Sequence, residues 1–130
     1  MAHGEFYWNE LVTHDVEKAK AFFTETVGWS FESMAMPEGF TYWVAKLGDK
    51  PVGGVMSMLP DMPPGTPSHW LSYLNVADID TQLTRITPAG GQILRSAFDV
   101  AGVGRIAIIA DPTGAVMGWI TPVDCPDTAS

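Results

Sequence analysis

The chain has 130 residues, 46% hydrophobic and 17% charged, with a formal net charge of -8. That length suits one domain with a core of its own, and the composition excludes a disordered chain. The charge argues against nucleic acid or an anionic membrane as partner, no apolar run approaches the ~20 residues of a membrane span, and a lone cysteine, Cys125, excludes an internal disulfide. No basic segment followed by an apolar one opens the chain, so a cytoplasmic location is expected.

Phe6–Thr13 alternates and is rich in aromatic and β-branched residues. It predicts a strand with Trp8, Glu10 and Val12 on one face and Asn9, Leu11 and Thr13 on the other. Thr13 or Asp15 can cap the helix that follows, and Val16, Ala19, Phe22, Phe23 and Val27 mark its apolar stripe. Gly28 is placed to end it in the left-handed conformation. Three strands follow, Trp29–Met36, Phe40–Lys46 and Val52–Met58, with turns at Pro37–Gly39 and Gly48–Pro51. Gly53 and Gly54 suggest a bulge or a close backbone approach. The next stretch, LPDMPPGTPS, holds four prolines and reads as a connector over 59–68.

The order then returns. His69–Val76 predicts a strand, and Asp78 and Asp80 open a helix with the stripe Ile79, Leu83, Ile86 and Ala89, ended by Pro88 and the Gly90–Gly91 pair. Gln92–Ala97 is a strand, Phe98–Gly104 a loop, Arg105–Ala110 the most apolar strand, Asp111–Gly114 a turn, Ala115–Thr121 the last strand and 122–130 a tail. Asp15, Phe23 and Gly28 recur as Asp78, Ile86 and Gly91 at an offset of 63, and Asp49 and Pro60 as Asp111 and Pro122 at an offset of 62. One spacing kept by independent landmarks indicates a duplicated supersecondary unit.

Two βαβββ modules, with WNELVTHDVEKAKAFF running to a Gly-Trp pair, WLSYLNVADID and DPTGAVMGWITP, resemble the vicinal oxygen chelate superfamily over residues 5 to 122. That superfamily includes glyoxalase I, bleomycin-resistance proteins, fosfomycin-resistance enzymes and extradiol dioxygenases. The resemblance implies a single α+β domain over 1–130, with module one at 5–58 and module two at 69–122. The modules would form an open, curved, barrel-like sheet of eight strands, with helices on the convex face and a ligand in the concavity. It also implies a homodimer. Metal-using members place ligands about seven residues before the turn aspartate and about seven after the DPxG aspartate. Here those places hold Trp8, Leu71 (or Trp70), Met56 and Gly118. None is a donor for an oxygen-binding ion, so no metal and no cofactor is expected.

The candidate ligand-lining residues are Trp8, Glu10, Trp43, Met56, Tyr73, Arg105 and Trp119. Aromatic and methionine side chains suit an apolar or aromatic small molecule, although strand tryptophans also serve as core. Glu10 can act as a general base or hold a ligand donor, or be a rim carboxylate in water. His69 shares the parity of Leu71 and Tyr73 and can serve as acid or base, or simply start its strand. Arg105 can anchor an acidic ligand group, or pair with Glu10 or Asp99. Three functions follow: a metal-free small-molecule-binding protein; a lyase, isomerase or oxygenase using Glu10 and His69; or a structural subunit with a vestigial cleft.

Overall fold

The computed structural model describes residues 2–36, 41–58, 63–100 and 103–123. The chain runs β1 (Phe6–Thr13), α1 (Val16–Val27), β2 (Ser30–Ala35), β3 (Thr41–Leu47), β4 (Lys50–Ser57), β5 (His69–Asn75), α2 (Ile79–Leu83), β6 (Gln92–Val100), β7 (Gly104–Ala110) and β8 (Val116–Pro122). The β-α-β-β-β order thus occurs twice. The eight strands form a mixed, open sheet in the order β2-β3-β4-β1-β5-β8-β7-β6. The backbone divides into two compact units, residues 9–71 and residues 1–8 with 72–130, so β1 contributes to both. The expected turn Pro37–Gly39, Phe40, the start of the connector and the tail with Cys125 lie outside the described residues.

In the unit of residues 9–71, β1 pairs parallel with β4 from Glu10↔Gly54 to Thr13↔Ser57. β4 pairs antiparallel with β3, and β3 with β2. The β3–β4 hairpin turns on Gly48 and Asp49, with Leu47 opposite Lys50, so β4 begins before the expected Val52. Pro51, which has no N–H to give, falls where the register shifts between Ala45 and Lys46. Helix α1 starts at Asp15, whose carboxylate accepts from Lys18 N–H at 3.0 Å, and ends at Gly28 with φ 78°. It lies on the face that carries Trp43, where the Lys20 ammonium sits 3.2 Å from the indole centroid. Register puts Leu11, Val55, Ala45 and Phe31 on that face, and Glu10, Val12, Tyr42, Val44, Gly54 and Met56 on the other. The helical stripe is narrower than the sequence suggests. Val16, Ala19 and Phe23 are half-buried, while Phe22 and Val27 are 58% and 52% exposed.

In the other unit, β5 pairs parallel with β8, β8 antiparallel with β7, and β7 with β6. Its core packs Val76, Ile79, Leu83 and Ile86 against Ala107 and Ile109. Asp78 caps α2, and Thr121 of β8 accepts from Ile79 N–H at 3.0 Å while donating to the Val76 carbonyl at 2.6 Å. The α-helix stops at Leu83, short of the expected Ala89. Thr84, Arg85 and Ile86 N–H groups bond three residues back instead. The Thr84 hydroxyl takes the Thr81 carbonyl at 2.6 Å, and Pro88 has no donor to continue the ladder. Ile86 still reaches the core. β6 runs to Val100 through two register shifts, so part of the expected loop 98–104 is strand. The segment before β1 is clipped onto this unit. Gly4 N–H donates to the Asn75 carbonyl at 2.7 Å, Asn75 N–H to the Glu5 carbonyl at 2.8 Å, and Ala77 N–H to His3 Nδ1 at 2.8 Å.

Each unit buries a glycine in its last strand under a tyrosine. The Tyr42 phenol fills the space a side chain at Gly54 would need, and the Tyr73 ring does the same over Gly118. The substitution Gly118→Val should therefore cost about 1–3 kcal/mol in chemical denaturation, because the ring must leave its place.

The β7–β8 turn is set by Asp111, whose carboxylate accepts from Thr113 Oγ1 at 2.6 Å, Thr113 N–H at 2.8 Å and Ala115 N–H at 3.1 Å. The Thr113 bonds, then that from Ala115, lower its pKa from 3.8. A depressed carboxyl contributes stability that is present above the unfolded pKa and lost as pH falls through the folded one. The stability gap between the native chain and Asp111→Asn should accordingly be full at neutral pH and close below the ordinary aspartate range, as read by denaturation across an acid pH series.

Candidate functional site

The face of the 9–71 unit opposite α1 is built by simple alternation. Val12 and Met56 are buried there at 2% and 7% exposure, and Glu10 is buried among them at 7%. Glu10 is in register with Gly54, over which the Tyr42 hydroxyl lies. Neighbouring strands are about 4.8 Å apart, so a carboxylate and a phenol come to adjacent places on one face. Burying a carboxylate is costly even when it is partnered. A carboxylate can accept a ligand's proton or N–H, and a phenol can donate to an oxygen. Tyr42 was not among the residues singled out from sequence. The Gly53–Gly54 pair signalled a close approach, but nothing in the sequence said which ring makes it.

In the other unit, the face opposite α2 carries Tyr73, buried at 6% exposure, with Gly118, Ile108, Ile106 and Ile120. Trp8 is half-buried and shares the strand parity of Glu10.

Other candidates are placed elsewhere. Trp43 lies on the α1 face under Lys20, apart from Glu10, because its register partner is Val55 rather than Gly54. Trp119 packs against the α2 core, and its Nε1 is buried with no hydrogen-bond partner. Arg105 shares the parity of Ala107 and so also stands on the α2 side. Its guanidinium bonds Asp80 at 2.9 and 3.0 Å and lies 3.3 Å from Asp99. The Asp80 bond, then the Asp99 bond, raises its pKa. Arg105 is a surface clasp between β6, β7 and α2, and the alternative pairing with Asp99 read from the sequence is present. His69 is half-buried, with Nδ1 2.8 Å from the Pro67 carbonyl.

A cavity of about 520 Å³ lies beside α1, not on the Glu10 face, and is lined by Glu17, Lys20, Thr24, Glu25, Phe31 and Trp43. The metal positions implied by the family resemblance are a poor fit to a divalent ion. Trp8 and Leu71 offer no lone pair, Met56 is a buried soft thioether, and Gly118 lies under the Tyr73 ring. Among the described residues, no three His, Cys, Asp or Glu side chains are grouped to hold a metal.

The βαβββ order thus occurs in two units, each with a helix on one face and a buried glycine-tyrosine contact on the other, and the family match agrees with that fold. The profile of the Glyoxalase/Bleomycin resistance protein/Dioxygenase superfamily matches residues 6–117, and the chain belongs to that superfamily. A glyoxylase-named protein of Mycobacterium tuberculosis, CFP32, is 40% identical over 119 residues, covering 92% of this chain and 44% of that protein. The anthracycline biosynthesis protein DnrV of Streptomyces peucetius is 31% identical over 125 residues, covering 88% and 46%. The chain thus spans under half the length of these two relatives. Methylmalonyl-CoA epimerase from Mycobacterium tuberculosis has the same fold, with a TM-score of 0.66 at 14% identity, over 99% of this chain and 95% of that one. Among the described residues no helix is long and apolar enough to cross a membrane.

Proposed function

We propose that this chain binds a planar, apolar or aromatic small molecule without a metal ion, on the sheet face opposite α1. The observation that carries this reading is Glu10, a carboxylate 7% exposed on a face otherwise made of Val12, Val44, Met56 and Tyr42. A carboxylate held on such a face is a fixed acceptor, because each of its oxygens can take more than one hydrogen bond. A ligand that presents an N–H or O–H to a carboxylate and an apolar ring to its surroundings suits that acceptor. The relative named for anthracycline biosynthesis supports a polycyclic aromatic compound as the ligand class.

Titration with a hydroxylated anthraquinone, followed by tryptophan fluorescence, tests the reading. Saturable quenching is the expected result, and Glu10→Gln should weaken it by roughly tenfold, the worth of one hydrogen bond to a charged group. Absence of binding by any hydroxylated polycyclic ring would sink the proposal. Elemental analysis of the protein as purified should find less than stoichiometric zinc, nickel, manganese or iron.

Tyr42 beside Glu10 also favours a second reading, proton transfer on the bound ligand. In that case Glu10→Gln should lower turnover by roughly 10²–10⁴ with little change in binding, and Tyr42→Phe should lower it by less. Equal loss of binding and turnover would leave binding as the sole role.

A further inference from the structure

The cavity beside α1 follows from the side chains that the helix turns toward β2 and β3. Glu17, Lys20, Ala21 and Thr24 fall at i, i+3, i+4 and i+7, which is one stripe of an α-helix. Ala21 and Thr24 are short, and a groove of about 520 Å³ is left between this stripe and the sheet. That volume is within the range of small-molecule pockets. Phe31 of β2 and Trp43 of β3, both half-buried, give the groove an aromatic wall. Glu17 and Glu25, both exposed, stand at its rim. The Lys20 side chain, only 16% exposed, shows what such a groove holds. Its ammonium lies 3.2 Å from the Trp43 ring centroid and 3.1 Å from the Glu17 carboxylate. An ammonium is attracted both by the face of an indole and by a carboxylate beside it. Glu25 is in no ion pair among the described residues, so the lining offers two carboxylates to one ammonium.

We propose that this groove is a second binding site, for a small organic cation: an ammonium on an apolar or aromatic body. Glu25 takes the ammonium, and the body lies against Phe31 and Trp43. Charge selects the sign of the ligand. Lys20 is the one cation in the lining, and Glu17 and Trp43 engage it, so an anion would have to break both contacts. A cation meets a carboxylate that is in no ion pair among the described residues, on a chain whose net charge of -8 attracts it from a distance. The groove is separate from the Glu10 face. Trp43 is in register with Val55 and Glu10 with Gly54, so the two lie on opposite sides of the sheet and can be filled independently. Lys20 shares the Trp43 wall with the incoming ammonium and repels it. Its own ammonium therefore limits the affinity of the groove, and removing it should help an amine and harm an anion.

Titration of the full chain with phenethylamine, protonated at neutral pH, tests this. Phenylacetate and phenethyl alcohol serve as anionic and neutral counterparts of similar shape, and the indole N–H signal of Trp43 in proton–nitrogen correlation spectra is the readout. The amine should shift that signal saturably with a millimolar Kd, more weakly as salt is raised. The alcohol should shift it less, and phenylacetate should leave it in place. Glu25→Gln should weaken the amine by roughly three- to fivefold, as loss of a partly exposed ion pair does. Ala21→Leu, which fills the groove from an exposed helical position, should abolish the shift. Lys20→Met should tighten amine binding severalfold. A Trp43 signal that the amine does not move, phenylacetate binding as well as the amine, no effect of Glu25→Gln, or amine binding lost in Lys20→Met would each overturn the proposal. Glu25 and Ala21 are exposed, so circular dichroism of their variants should remain native.

Discussion

In each unit the first strand pairs parallel with the last, β1 with β4 and β5 with β8. A parallel partner cannot be reached by a tight turn, so the chain must cross over before it returns. Here the crossover carries a helix and the return is a two-hairpin meander, β2-β3-β4 or β6-β7-β8. The helix is thereby confined to one face of its strands, and the opposite face is left to side chains alone. The close packing of Tyr42 over Gly54 and of Tyr73 over Gly118 follows from that. Where no helix covers a face, a long ring laid flat across a glycine covers the backbone instead.

The same alternation that fills the core also decides which polar groups can meet a ligand. Glu10, Tyr42 and Met56 share a face because β1, β4 and β3 are in register there. Trp43 and Arg105, one parity away from their neighbours, are drawn to the helices and satisfied locally by Lys20 in one case and by Asp80 and Asp99 in the other. Shifting a strand by one residue would exchange these sets, which is why register rather than residue type separates candidate site from scaffold.

Most of the fold was legible in the sequence. The period-two pattern located β1 from Phe6 to Thr13, the 63-residue offset revealed the second unit, and Gly28 announced its own left-handed cap. What failed did so for tertiary reasons. The α2 stripe through Ile86 and Ala89 looks helical on paper, but threonine hydroxyls and Pro88 turn it into tighter bonds that still deliver Ile86 to the core. β6 extends past Ala97 because bulges let it follow β7, which no local pattern signals. The candidate site was half legible. The parity of β1 placed Glu10 opposite Leu11, but the relation of Tyr42 to Glu10 depends on a pairing between distant strands. The bonds of Arg105 to Asp80 depend on α2 packing beside it, which no local pattern signals.

The clip that ties Gly4 and Glu5 to Asn75, and His3 to Ala77, has a consequence for how the two units are closed. The 9–71 unit is continuous in sequence, so its closure joins no segment from elsewhere in the chain. The other unit joins residues 1–8 to 72–130 across the whole of the first, so its closure spans a loop of about seventy residues. Closing so long a loop slows a folding step far more than it lowers final stability. Closure is therefore asymmetric: one unit is assembled from a single stretch of chain, and the other depends on a long-range contact between its two parts.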